Sequence, residues 1–319
     1  MKAAVRARYG PAGSISISEI VRPVPHPDEV LVRVHAASVS RTDCHVATGR
    51  PLVMRAFTGC PRPRSPVTGS DFAGQVEAVG SAVTSLTPGD RVMGFGGVFG
   101  VGSHAEYLAV RETAGIVKMP AQFGYAEAAA CLEGACYAAM GITALRPKPS
   151  QKALVYGATG AIGVADVQLL KHCGAQVTAV CAAEHGALVR SLGVDRVIDY
   201  QTEDFTRDAE RYDFVFDAVG KSSFLACRRL LKDKGVFTSS AGLANVFWSM
   251  VTPLWHGRRV AGFRPGNVRT TLEFIASLLA GGRFKPVIDR RYALAQIADA
   301  FRYVATGQKV GSVIITLDT

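Results

Sequence analysis

The chain has 319 residues, 48% of them hydrophobic and 19% charged; that suffices for two buried domain cores and argues against disorder. The net charge is +10, with a pI near 9.4, but Lys and Arg are spread along the chain and the densest cluster, Arg62 and Arg64 after Arg55, is broken by prolines. Without an RNP, zinc-finger or helix-turn-helix pattern, nucleic acid is excluded as an expected partner, while an acidic carrier protein or an anionic membrane surface stays open on charge alone.

The first residues are basic but lead into no apolar h-region, and no run of 18 or more apolar residues follows. A secretory signal and a spanning helix are therefore not expected, and a cytoplasmic location is. The first third reads as β-rich. Strands are expected at 30–34 and 75–79, then a turn at 86–90 into a strand at 91–93, then a strand at 105–110. The Pro-, Gly- and Arg-rich stretch 49–66 reads as a long loop without regular structure. From 125 to 139 the chain is Ala-rich and helical in character. Strand and helix then alternate: strand 152–156, helix 161–173 stopped by Gly174, strand 177–181, a helix ending at 188–192 before Gly193, and strands 196–198, 214–217, 235–239 and 259–262. Helices at 268–280 and 294–305 and a strand at 312–317 complete the reading. Repeated βα units predict a doubly wound parallel sheet, giving an α/β protein. The seven cysteines are odd in number and form no C-x-x-C pair, so they are expected as free thiols rather than as disulfides or a zinc knot.

The most specific motif is Gly157-Ala158-Thr159-Gly160-Ala161-Ile162-Gly163, which follows a strand and opens a helix. Gly157 and Gly160 permit a tight turn and close approach of a pyrophosphate. The helix N-terminus offers N–H groups and partial positive charge, and Gly163 lets the helix pack on the strand. The second strand of this unit ends in Cys181-Ala182-Ala183, without the carboxylate that binds an NAD ribose. Neutral residues there leave room for a 2′-phosphate, with Tyr200, His185 and Arg190 as partners; Glu184 is the alternative, able to turn inward to a 2′-hydroxyl. NADP(H) is the expected cofactor, with NAD(H) not excluded. The expected cofactor contacts are the seven motif residues with Ala182, His185, Tyr200, Val219, Gly220, Ala241, Gly242 and Phe263.

Nearly the whole chain resembles the medium-chain dehydrogenase/reductase superfamily, in its zinc-independent quinone-oxidoreductase-like branch. The likeness rests on Ala36 to Asp43, Thr68 to Gly74, Pro88 to Val92, Gly102 to Tyr107, the Gly157 to Gly163 motif, Val287 to Arg290 and Gly307 to Gly311. It implies a β-rich GroES-like catalytic domain from both chain ends, 1–121 and 283–319, around a Rossmann domain at 122–282, with substrate in the cleft between them. Zinc-dependent relatives carry Cys where this chain has Ser40 and His-Glu where it has Ser70-Asp71; their third ligand falls near Glu133. A zinc site needs three or four N or S donors, so no metal is expected. An unusual site from Asp43, His45, Asp71 and Glu133 is the weaker alternative.

Zinc-free relatives reduce acceptors that are already electrophilic, namely quinones and α,β-unsaturated carbonyl compounds. The resemblance thus implies hydride transfer from NADPH to a small apolar carbonyl or quinone substrate, with protein donors meeting the charge that develops on the carbonyl oxygen. Candidates for proton donation are Ser40, Asp43, His45 and Tyr137, with Arg41 as electrostatic stabiliser; Asp43 also reads as an anchor of its loop. A zinc-free ketone or aldehyde reductase and a non-catalytic NADPH-binding protein are the other readings. The apolar stretch from Asn245 to Trp255 suits a substrate pocket, a core or a dimer contact, and a homodimer is left open.

Overall fold

The computed structural model describes residues 1–97, 100–240, 243–252, 257–262 and 266–317. The expected contacts Ala241, Gly242 and Phe263 lie outside the described residues, as does Trp255. The contacts group the chain into two compact units, one of 1–133, 267–282 and 286–319, the other of 134–266 and 283–285. These dividing points differ from 121 and 282 for a physical reason. Helix Val268–Ala280 packs on strands Arg91–Phe95 and Ile116–Lys118, and helix Tyr125–Ala129 packs on strands Glu29–Val39 and Asp71–Val79.

The first unit is built on a sheet in the order Ile288–Ala293, Ser312–Thr316, Glu29–Val39, Asp71–Val79, Arg91–Phe95, Ile116–Lys118, with Tyr107–Arg111 also paired to Glu29–Val39. Only the first of these pairings is parallel. Val30, Val32 and Val34 alternate inward, as period-2 patterning requires. Helix Ile297–Thr306 covers the core with Ile297, Ala300, Phe301 and Val304, the i, i+3, i+4, i+7 stripe of an amphipathic helix. The 49–66 stretch is not wholly irregular, because Val53–Thr58 forms a short helix.

The second unit carries a six-stranded sheet in the order Arg196–Asp199, Gln176–Cys181, Lys152–Tyr156, Tyr212–Asp217, Leu231–Ser239, Arg259–Ala261. Every pairing is parallel. In order of appearance this is 3-2-1-4-5-6, the doubly wound order whose reversal point lies beside the first strand. The central strands are buried nearly throughout, since helices cover such sheets on both faces. The expected Ala-rich helix is two helices, Tyr125–Ala129 and Glu133–Leu145. In the helix Leu243–Val251, Trp248 packs on Phe224 with tilted rings and centroids 5.8 Å apart, while Val246, Phe247 and Met250 are exposed. The described part of the expected apolar stretch is thus divided between core and surface.

Candidate active site

The turn after strand Lys152–Tyr156 closes by a hydrogen bond from the Gly160 N–H to the Gly157 carbonyl, 3.1 Å long. Gly157 has φ +79°, a conformation costly for any residue with a Cβ. Its N–H donates to the carbonyl of Val180 on the next strand. Helix Ala161–His172 starts at Gly160 with no side-chain cap, so no capping side chain occupies the N–H groups of its first turn. A Cβ on Gly163 would lie 2.1 Å from the Gly157 oxygen, so the helix meets the turn at backbone contact. Among the described residues, a Cβ on Gly160 would meet nothing nearer than 3.6 Å, leaving an open face before the helix N-terminus. The cradle fits a pyrophosphate by the absence of side chains and the presence of donors.

Around the end of strand Gln176–Cys181, Ala182 is buried and the Tyr200 N–H donates to the Cys181 carbonyl over 3.4 Å. Arg190 folds back over Gly186, where a Cβ would lie 3.0 Å from its Nη1; burial and then the Asp199 carboxylate push the Cys181 thiol up, opposed by the charge of Arg190. Glu184 is exposed, with its carboxylate 3.5 Å from His185. Asp217, at the end of the fourth strand, was missed in the sequence. Its carboxylate accepts from the N–H groups of Val219, Gly220 and Ser222 at 3.2, 2.8 and 2.8 Å, and from the Ser239 hydroxyl at 3.1 Å. The N–H groups of Val219 and Gly220 are therefore turned to the protein and not to a ligand. The Val219 side chain does reach the cradle, with Cγ1 at 2.6 Å from where a Gly157 Cβ would stand. The signal in the sequence was the spacing Asp217-x-x-Gly220, an Asx-type turn with a glycine at φ +68°.

The first unit gathers Ser40, Arg41, Asp43 and His45 on one helix, Arg41–Thr48. Ser40 caps it. Its hydroxyl accepts from the Asp43 N–H at 3.0 Å and donates to the Asp43 carboxylate at 2.7 Å, and that carboxylate accepts the Ser40 N–H at 2.8 Å. This reciprocal box holds both side chains in the backbone of the helix start. Arg41 donates to the carbonyl of Ala305, at the end of another helix. Burial, with the charge of Arg41, holds the His45 imidazole below the usual histidine range. Thr42, also missed, donates to Glu133 Oε1 at 2.7 Å. Burial raises the Glu133 carboxyl, opposed by the Thr42 hydroxyl and by Lys309, whose own value burial lowers. Tyr137 lies in the second unit, on the helix Glu133–Leu145.

Two of the positions that bear zinc ligands in zinc-dependent relatives, Ser40 and Ser70, carry hydroxyls. The Ser40 hydroxyl is engaged with Asp43, and the buried Ser70 Oγ has no hydrogen-bond partner. Among the described residues no three His, Cys, Asp or Glu side chains converge as metal donors, and hydroxyls are poor donors to zinc. A polar network stands there instead. Ser38 donates its N–H and hydroxyl to Asp71 at 2.7 and 2.6 Å. His104 Nε2 donates to the Ser38 carbonyl at 2.8 Å, which assigns its other nitrogen as acceptor from Thr68. Burial holds the His104 ring below its usual range, hence neutral.

Two family models match, "Alcohol dehydrogenase GroES-like domain" over residues 26–121 and "Zinc-binding dehydrogenase" over 192–315. The second segment contains none of Ser40, Ser70 or Glu133. The chain is 32% identical to the NADPH-dependent alkenal/one oxidoreductase, chloroplastic, of Arabidopsis thaliana, a match covering 99% of this chain and 79% of that protein. The chain belongs to the medium-chain dehydrogenase/reductase superfamily, in its quinone-oxidoreductase-like branch. It is 31% identical to the 2-methylene-furan-3-one reductase of Solanum lycopersicum, over 99% of this chain and 79% of that one. The fold of this superfamily member matches the quinone oxidoreductase from Coxiella burnetii with a TM-score of 0.89 at 24% identity, covering 100% of this chain and 99% of the other.

Two substitutions in the cradle separate binding from folding. Gly160→Val places its branches on the open face and is expected to keep the fold while weakening dinucleotide binding at least about tenfold. Gly163→Ala drives a Cβ into backbone and is expected to cost about 1–3 kcal/mol or more of stability. Fluorescence titration and urea unfolding of both variants check this; unchanged binding by folded Gly160→Val refutes the cradle.

Burial pushes the Asp71 carboxyl up to about 7, against the two Ser38 hydrogen bonds that lower it. An unfolded aspartate titrates near 3.9, so between about pH 4 and about pH 7 the folded chain binds the extra proton. This contribution to stability is complete at the acid end and is lost as pH rises through 7. Asp71→Asn keeps a donor and an acceptor for Ser38 and removes the titration. Its unfolding midpoint should fall less across this window than that of the unsubstituted protein, and equal slopes would show Asp71 ionised.

Proposed function

We propose that this chain is an NADPH-dependent, zinc-independent reductase of quinones or of the activated double bond of small α,β-unsaturated carbonyl compounds. The observation that carries this reading is the pairing of an open dinucleotide cradle at Gly157–Gly163 with serine at Ser40 and Ser70. Without a Lewis acid to polarise a carbonyl, an acceptor that is electrophilic on its own is favoured, as enones and quinones are. The names of the two curated relatives, an alkenal/one oxidoreductase and a reductase of an exocyclic enone, support the same class.

Bound NADPH supplies hydride to the electrophilic carbon. The chain's residues bind and orient. Gly157, Gly160 and the uncapped helix hold the pyrophosphate; Arg190, Tyr200 and His185 are the partners we assign to the 2′-phosphate, with Glu184 exposed. Ser40 and Asp43 fix the start of the helix that presents His45, and Arg41 is tied to Ala305. We assign Ser40, Asp43 and Arg41 to positioning, and His45 to donation toward the carbonyl oxygen.

Turnover with a panel of enones, quinones and saturated ketones tests the reaction class. The expected pattern is oxidation of NADPH by the first two, unaffected by chelator, on protein without stoichiometric zinc; activity confined to saturated ketones, or one tightly bound zinc per chain, overturns it. The second measurement is kcat/KM for NADPH and NADH with one accepted substrate. NADPH is expected to be preferred by about 1–3 kcal/mol, the worth of one or two charge-assisted hydrogen bonds. Equality or an NADH preference would place Glu184 rather than Arg190 and Tyr200 on the ribose.

A further inference from the structure

The segment between Asp43 and Asp71 contains no Asp or Glu and four arginines, Arg50, Arg55, Arg62 and Arg64. Its short helix, Val53–Thr58, does not bury its apolar side chains. Leu52 is 71% exposed, Val53 52% and Phe57 51%, and Val53 and Phe57 are i, i+4 neighbours on one side of the helix. Arg50, Arg62 and Arg64 are exposed as well. Apolar side chains on a loose loop would collapse onto the protein, but this one is held. The Tyr9 hydroxyl donates to the Gly59 carbonyl at 2.6 Å and lies 2.7 Å from the Thr58 hydroxyl. The Tyr9 ring also takes the guanidinium groups of Arg6 and Arg55, at 5.5 and 4.9 Å from its centroid. The Arg64 N–H closes the far end onto the Thr58 carbonyl at 2.8 Å.

We propose that this segment is a docking surface for an anionic lipid bilayer, with Leu52, Val53 and Phe57 entering the interface and Arg50, Arg62 and Arg64 on the headgroup phosphates. Exposed Leu and Phe beside basic residues is the composition of interfacial segments that lie on a membrane without spanning it. The segment's own lack of carboxylates removes repulsion between it and an anionic surface. Exposed apolar side chains and arginines on one short segment match the acyl boundary and the headgroup phosphates of a bilayer together. The inference goes beyond the reductase reading and does not depend on it, because vesicle binding requires no turnover.

The test is flotation of the full chain with vesicles of phosphatidylcholine alone and of phosphatidylcholine with about 30% phosphatidylglycerol. Binding is expected to the second only and to fall on going from about 0.05 to about 0.5 M salt. Each of Arg62→Glu and Arg64→Glu should weaken it about fivefold or more, and Leu52→Ser with Phe57→Ser should weaken it without removing its salt dependence. A control with Arg228→Glu and Arg291→Glu, exposed arginines elsewhere, should bind like the unsubstituted chain. Equal binding to both vesicle types, or loss in the control as large as in the loop variants, overturns the proposal. So does an unchanged vesicle affinity with a raised KM for a water-soluble acceptor, which would make the loop a wall of the substrate site. Capture by a purified acidic carrier protein but not by anionic vesicles overturns it in favour of a protein partner.

Discussion

The second unit depends on one backbone approach. Helix Ala161–His172 meets the turn after the first strand so closely that a single carbon on Gly163 would sit 2.1 Å from the Gly157 oxygen. That contact sets the height of the helix N-terminus above the strand ends, and so the depth of the open face at Gly160. The Val219 side chain then closes one flank of the cradle, because Asp217 gathers the following loop by its backbone N–H groups. The helix start has no side-chain cap of its own. Its donors are left for an anion, at a cost in helix stability that a Ser or Asp at Gly160 would have offset.

The first unit follows a different logic. Three buried carboxyl groups, Asp43, Asp71 and Glu133, lie near enough to act on one another electrostatically. Hydroxyls and two buried cations compensate the cluster: Ser40 and Arg6 for Asp43, Ser38 for Asp71, Thr42 and Lys309 for Glu133. The compensation is partial, and the carboxyls of Asp71 and Glu133 stay shifted toward their neutral forms. Burial of a carboxyl group is affordable when it can keep its proton.

Much of this was legible in the residues. Gly174 and Gly193 stop helices as punctuation predicts, both at positive φ, and the run of short apolar strands gave the parallel sheet. The Gly157–Gly163 spacing carried its own geometry. What escaped was non-local. Nothing in the sequence near Thr42 announces Glu133, 91 residues away, and the attachment of helix Val268–Ala280 to the first unit depends on strands far behind it. The helix Val53–Thr58 escaped for the opposite reason: prolines on both sides signalled a loop, and a helix of 6 residues is too short for periodicity to show. Arg62 and Arg64 were set aside because prolines break their cluster.

The central sheet of the first unit has its own implication for biosynthesis. Strand Glu29–Val39 is complete only when Ser312–Thr316 pairs with it, Val313 opposite Val39 and Thr316 opposite Ala36. Val313, Ile315 and Phe301 also fill the core around Val30, Val32 and Val34. As the chain leaves the ribosome, the strands of the parallel sheet are all present before these residues are made. The early half of the first unit must wait with an apolar sheet edge uncovered while the nucleotide unit folds. Its closure joins residues as far apart as Ala36 and Thr316, and such late, distant pairing is slow. Chaperone dependence during synthesis should therefore belong to the first unit.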